Sequence, residues 1–207
     1  MALVRQNRSN IRLFLATAIV AAAALIPSLS EAQDRVVPDT YLATTVNMTP
    51  TDVELKADIL RWSTDEERAA VVAVLDSEED PAAALRSLPS MGVVWRSNSA
   101  VGHSVKYAHR VQSDDGKTHV TLLTDRAIGS TSFEPWTADD PAADAPLDYS
   151  VIELTIGDGS AGIGTMSLAA AISIDADTNT ISLDSGDSSP ILTNVTLAPK
   201  PYWARSQ

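Results

Sequence analysis

From residue 53 onward, apolar and polar residues alternate in short runs that are separated by turn-forming residues. In the first run, Val53, Leu55, Ala57 and Ile59 alternate with polar neighbours. A period of two places the apolar side chains on one face of a β-strand. The pattern predicts about eight strands, mostly antiparallel because most turns are short, over residues 53–59, 91–95, 103–111, 117–126, 152–156, 166–174, 181–183 and 191–197.

Two short helices are predicted after the first strand. Ser63-Thr64-Asp65-Glu66 has the spacing of a capping box, in which the Ser63 hydroxyl accepts a hydrogen bond from the Glu66 amide. The apolar residues that follow recur three and four apart, as on one helical face: Val71, Val74 and Leu75. Asp80-Pro81 indicates a second helix start, because an N-cap residue is followed by proline at the first helical position.

Asp115-Gly116 is the strongest short hairpin motif in the chain. A two-residue turn there pairs Lys106 with Asp125, an opposite-charge contact across the strands. The same register places His109 beside Leu122 on the inner face of the sheet. A half-buried histidine without a partner there should have a pKa below its ordinary value.

These elements predict one mainly β domain of the α+β class. Its antiparallel sheet of about eight strands is expected to be strongly curved, and a barrel-like sheet is one form that such curvature allows. The inserted helical pair is expected to cover an open side or end of the sheet. The predicted boundaries are a signal peptide over 1–32, an extended N-terminal arm over 33–50, the domain over 51–198 and a C-terminal tail over 199–207.

The N-terminus has the three parts of a secretory signal peptide. Arg5, Arg8 and Arg12 precede an apolar run from Leu13 to Ile26, and Ser30 and Ala32 are small residues at the cleavage positions. We therefore expect the mature protein to begin at Gln33 and to be secreted or periplasmic. The apolar run is short for a membrane span, so no stable membrane insertion is expected after cleavage, although an uncleaved anchor is the alternative.

Composition excludes several classes of site and partner. The chain has no cysteine, which excludes disulfides, thiolate metal sites, cysteine nucleophiles and a lipoprotein anchor. Its net charge is −12, and loss of the signal peptide would make it more negative. Such a surface repels phosphate backbones, so no nucleic-acid partner is expected. No motif predicts a cofactor.

A long connection between strands is the predicted location of a ligand pocket. Residues 127–148 carry several prolines and no hydrophobic period, and connections this long are often functional. Aromatic residues in an acidic loop could clamp a ligand against the apolar face of the hairpin. The candidate ligand-binding residues are therefore His109, Tyr107, Phe133, Glu134 and Trp136.

Asp175, Asp177 and Asn179 have the oxygen spacing that opens a calcium-binding loop. However, Thr180 stands where that loop needs glycine, and Gly186 stands where it needs a bidentate glutamate. The pattern therefore favours a simple turn over a weak surface calcium site. No metal site is predicted elsewhere.

Six blocks along the chain resemble, in the same order, a family of uncharacterised bacterial proteins that carry an N-terminal signal peptide. The resemblance spans about residues 50–197 and implies export, but no particular activity, substrate or fold. The blocks are Arg61-Trp62-Ser63-Thr64-Asp65-Glu66-Glu67-Arg68, Tyr107-Ala108-His109-Arg110, Thr124-Asp125-Arg126, Ile152-Glu153-Leu154, Gly164-Thr165-Met166-Ser167-Leu168-Ala169 and Leu192-Thr193-Asn194-Val195.

The sequence favours a secreted or periplasmic non-catalytic binding protein whose ligand is a small molecule or an envelope protein. A hydrolase that uses carboxylates and His109 is one alternative, and two acidic groups converging with His109 would favour it. A structural or assembly factor of the cell envelope is another, and a packed interior with an exposed apolar edge would favour that. A closed apolar cavity would favour binding.

Overall fold

A computed structural model describes residues 36–49, 52–77, 80–128, 137–138, 148–157, 161–167, 172–184 and 191–201. The expectations for the signal peptide over 1–32, and for Phe133, Glu134 and Trp136, lie outside the described residues. The segment Arg35–Gln207 forms one compact unit.

The described part of the chain forms strands and two helices. In chain order, the elements are β1 Asp39–Thr45, β2 Met48–Thr49, β3 Glu54–Ile59, α1 Asp65–Leu75, α2 Pro81–Ser87, β4 Gly92–Arg96, β5 His103–Gln112, β6 Thr118–Thr124, β7 Thr137–Ala138, β8 Val151–Ile156, β9 Gly162–Met166, β10 Ile172–Asp175, β11 Thr180–Leu183 and β12 Ile191–Leu197. Eight antiparallel strands close into a barrel, in the order β1-β12-β9-β8-β6-β5-β4-β3. The α+β prediction of one curved, barrel-like sheet with an inserted helical pair is therefore confirmed.

The first barrel strand lies in the segment that was predicted to be an extended arm. β1 pairs with β12 on one side and β3 on the other, so the domain begins before residue 51. Tyr41 and Ala43 point inward and are almost fully buried. The arm prediction was wrong because this strand has few apolar residues, and its place in the fold is fixed by closure of the barrel, which leaves no free edge.

The predicted strand over 166–174 is divided in the structure. β9 ends at Met166 and belongs to the barrel, whereas β10 pairs with β11 in a separate two-stranded sheet. An alternating sequence pattern does not say which neighbour a strand pairs with, so two elements on different sheets can look continuous.

The helix that begins near residue 63 starts one residue later than predicted. Thr64 is the N-cap of α1, and its hydroxyl accepts from the Glu67 amide at 3.3 Å while Glu67 accepts from the Thr64 amide at 3.0 Å. Ser63 instead pairs with β5, where its hydroxyl accepts from the Ala108 amide at 2.9 Å. The predicted start of α2 is confirmed, because the Asp80 side chain accepts from the Ala83 amide.

Both helices cover a closed outer wall of the barrel and not an open side or end. One apolar cluster joins buried residues of α1 and α2 to outward-facing barrel residues and the β10–β11 hairpin: Val71, Val72, Leu85, Tyr107, Leu123, Val151, Ile181 and Leu183. The Lys106 ammonium donates to the Leu88 carbonyl at 2.7 Å, next to the C-terminal end of α2, where a cation is favourable. Among the described helices, none is long and apolar enough to cross a membrane.

Candidate functional site

The β5–β6 hairpin is closed by three residues, not two. The Ser113 amide donates to the Lys117 carbonyl at 2.9 Å, so Asp114, Asp115 and Gly116 form the loop. Gly116 has a φ of 82°, the left-handed conformation that three-residue hairpins need at their last position. The predicted two-residue turn was therefore wrong by one residue.

This one-residue difference changes the face on which His109 lies. His109 is opposite Thr121, not Leu122, and a bulge between Val105 and Tyr107 changes the alternation along β5. Val105 and Ala108 face the barrel interior, whereas Tyr107 belongs to the cluster beneath the helices. The predicted pair of Lys106 with Asp125 is also absent, because the Asp125 carboxylate accepts from the Ser104 amide.

Tyr107 and His109 share a face, as predicted, but that face is the outer one. Tyr107 is fully buried, its hydroxyl donates to the Asn179 carbonyl at 3.1 Å, and burial raises its pKa to about 12. The His109 ring lies edge-on to it at 6.1 Å. Burial, and then the positive charge of Arg68, lower the pKa of His109, while Asp65 opposes this effect. The direction is the expected one, but the predicted place on the inner face without a partner is not.

A cleft of about 390 Å³ opens at one mouth of the barrel. Its lining residues are Tyr41, Arg110, Gln112, Thr118, Ile156 and Leu197. Five of these lining residues each have a buried core residue two positions away, on the same face of the same strand. These core residues are Ala43, Ala108, Val120, Leu154 and Val195. The cleft is therefore the end of the packed interior, where inward-facing side chains become polar.

Arg110 is the charged group of this cleft. Its guanidinium carbon lies 4.6 Å from the centre of the Trp62 ring, and its Nη1 atom lies 3.5 Å from Asp39 Oδ2. Tyr41 packs edge-on against the same indole, with the ring centres 6.4 Å apart. Burial, and then the Asp39 carboxylate, raise the pKa of the Tyr41 hydroxyl, while Arg110 opposes them through its charge and a hydrogen bond.

The connection over 127–148 leaves the opposite end of the barrel. It follows Thr124, the last residue of β6, and precedes Val151, the first residue of β8. The cleft is at the other ends of these two strands, where Thr118 and Ile156 line it. Its two described ends are joined by a hydrogen bond from the Ala127 amide to the Asp148 carbonyl. The expected pocket beneath this connection is therefore not the cleft at the mouth.

A buried basic group lies at that opposite end. Arg96 and His103 are each 2% exposed, and Arg126 donates to the Gly102 carbonyl beside them. The Nδ1 atom of His103 has no hydrogen-bond partner among the described residues. Burial, and then the charge of Arg126, lower the pKa of His103.

The residues of the calcium-like pattern form a turn between β10 and β11. The Asp175 carboxylate accepts from the amides of Asp177 and Thr178, and Asn179 has a φ of 51°. A hydrogen bond with the Thr178 side chain, and then these amide bonds, lower the pKa of Asp175. The predicted turn is present, and Asp175 directs its Oδ1 atom to that turn. Among the described residues, no group of three or more His, Asp or Glu side chains could hold a metal ion.

Of the candidate ligand-binding residues, the described ones do not line the cleft, and Arg110 was missed. Arg110 directly follows His109, so the strand was identified correctly and the face was not. A three-residue turn ending in Gly116 would have placed Arg110 inside, because Arg110 then pairs with the buried residue Val120. No protein-family model, curated protein or solved structure matches this chain.

Proposed function

We propose that this protein is a secreted or periplasmic non-catalytic binding protein that holds a small organic ligand in the cleft at the barrel mouth. The observation that carries the proposal is the change of chemistry along inward-facing positions. These positions are apolar through the interior, whereas at the mouth arginine, glutamine and threonine stand beside tyrosine, isoleucine and leucine. The signal-peptide pattern over residues 1–32 supports the location.

The dimensions and composition of the cleft support this function. Small-molecule sites occupy about 300–1,000 Å³ and combine apolar walls with a few polar groups that orient the ligand. Ile156 and Leu197 supply apolar surface, while Arg110, Gln112 and Thr118 supply hydrogen-bonding groups. Eight-stranded barrels leave room for side chains or one small ligand, and here the described inward-facing side chains form one buried apolar cluster.

The hydrolase alternative has less support. A hydrolase needs an acid and a base within reach of the same substrate. Within the described part of the chain, the charged groups that act on His109 are Arg68 and Asp65, on the outer wall. Among the described residues that line the cleft, none has an imidazole or a carboxylate.

One observation favours an envelope assembly factor as the second candidate. The interior is packed, and two large apolar residues are exposed on neighbouring strands of the outer wall: Ile163 on β9 is 65% exposed and Ile191 on β12 is 42% exposed. Such a surface suits contact with another protein.

Native mass spectrometry of protein purified from its own host tests the binding proposal. We expect an additional mass of small-molecule size that is retained by the wild type. Ile156→Trp should fill the cleft and abolish the additional mass, whereas Ile163→Trp, on the outer wall, should retain it. Retention of the same ligand by Ile156→Trp, with an unchanged melting temperature, would contradict a site at the mouth.

A further inference from the structure

We propose that the cleft selects organic anions, and that Arg110 binds the carboxylate of a short amphipathic acid there. This inference rests on the proposed binding function and names the chemical class of its ligand. It follows from the geometry of Arg110, from the charges beside it and from the apolar wall opposite.

The Arg110 guanidinium lies against an aromatic ring and remains 46% exposed, so that a ligand can reach it. Its carbon is 4.6 Å from the centre of the Trp62 ring, within the range of a cation–π contact. It hydrogen-bonds the Tyr41 side chain, and its hydrogen bond to Asp39 is at the 3.5 Å limit of such contacts. A guanidinium carries five N–H donors, and a carboxylate can use two of them in parallel.

Another arginine of the same protein shows what a saturated pair looks like. Arg61 and Glu67 form a bidentate ion pair, with N–O distances of 2.7 and 2.8 Å. The longer contact between Arg110 and Asp39 therefore leaves room for a second carboxylate with better geometry. An orienting ring and a weak internal partner are features of a ligand-binding arginine.

The local charge also favours an anion. Asp39 lies 3.5 Å from Arg110 and 3.6 Å from Lys200. A ligand carboxylate beside Arg110 would be attracted by the guanidinium charge, whereas a ligand ammonium would be repelled by it.

The other residues that line the cleft indicate the chemical nature of the rest of the ligand. Ile156 and Leu197 offer apolar surface, and Leu197 is 48% exposed, so an aliphatic or aromatic body could cover it. Gln112 and Thr118 are neutral hydrogen-bonding groups beside that surface. A volume of about 390 Å³ fits a short acid and not a long lipid chain.

Calorimetric titration of the full chain with octanoate, octanol and octylamine tests the inference. We expect octanoate to bind at least about tenfold more tightly than octanol, because a charge-assisted hydrogen bond corresponds to a factor of about 10 to 100. Octylamine should bind most weakly. Arg110→Gln should reduce octanoate affinity to that of octanol, while Arg61→Gln, a matched arginine outside the cleft, should leave it unchanged.

Asp39→Asn provides an independent measurement in case Arg110→Gln does not fold. Removal of the competing carboxylate should tighten octanoate binding several-fold and leave octanol binding unchanged. Equal affinity for octanol and octanoate, or weaker octanoate binding by Asp39→Asn, would overturn the anion inference alone. No binding of any of the three probes, together with no host-derived ligand, would overturn the proposed function as well.

Discussion

Replacement of Ser63 by alanine should destabilise the barrel through β5, not through helix α1. The pairing of β4 with β5 ends at Val105, so the backbone groups of Ala108 need other partners. Ser63 supplies both: its hydroxyl accepts from the Ala108 amide at 2.9 Å, and its own amide donates to the Ala108 carbonyl at 2.9 Å. Ser63→Ala removes the first bond and leaves the second.

The expected loss of stability follows from the burial of the Ala108 amide, which Ser63→Ala leaves without an acceptor. Ala108 is fully buried and Ser63 is 8% exposed, so water cannot readily replace the lost acceptor. A buried donor without a partner costs about 1–3 kcal/mol. For a domain of this size each kcal/mol lowers the melting temperature by about 2–4 °C, which gives a decrease of about 2–12 °C.

Urea unfolding and amide hydrogen exchange measure the two consequences. Ser63→Ala should lower the free energy of unfolding by the stated amount and speed exchange at the Ala108 amide. Thr64→Ala should cost about 1 kcal/mol as an N-cap change and leave Ala108 protected. Ser87→Ala, at an exposed hydroxyl, should stay within about 0.5 kcal/mol of the wild type. Wild-type stability and wild-type Ala108 exchange in Ser63→Ala would refute this reasoning.

Three further predictions concern titration, turn geometry and processing. His103 has a lowered pKa in the folded state, so its contribution to stability should be lost as pH falls through the unfolded pKa near 6.5. The acid-induced loss of unfolding free energy, measured with urea, should be smaller in His103→Gln than in the wild type. An identical dependence on pH in both proteins would contradict this. Gly116→Ala should cost about 1–2 kcal/mol at its φ of 82°, measured in the same way, and Gly116→Asn should cost less; equal losses would argue against strain at this turn. The intact mass of the secreted protein should correspond to a chain that begins at Gln33, whereas a mass that includes residues 1–32 would indicate an uncleaved anchor.

Local sequence patterns predicted those elements that depend on interactions between residues close in sequence. The start of α2 depends on the Asp80 side chain and the Pro81 ring, and both lie next to the backbone groups that they affect. The helix α1 was also predicted, but Ser63 and Thr64 are both suitable N-caps. Only the position of Ala108, distant along the chain, decides that Ser63 pairs with β5 and that Thr64 begins the helix.

The candidate site was beyond a local analysis because it depends on register. A one-residue difference in the β5–β6 turn, together with the bulge before Tyr107, moves His109 to the outer wall and Arg110 to the inward-facing side of β5 at the mouth, where its side chain is 46% exposed. Alternation alone cannot detect such a shift, since the period of two is the same in either register. The Asp39 carboxylate that pairs with Arg110 lies 71 residues earlier in the chain.

By itself, the sequence determined the fold class, most of the strands and the two helices, because period-two alternation, caps and turns act over a few residues. The tertiary structure decided the closure of the barrel through β1, the face of each β5 residue and the meeting of Asp39, Trp62 and Arg110 at the mouth. These features depend on which strands pair and in what register, which is settled by packing across the whole domain.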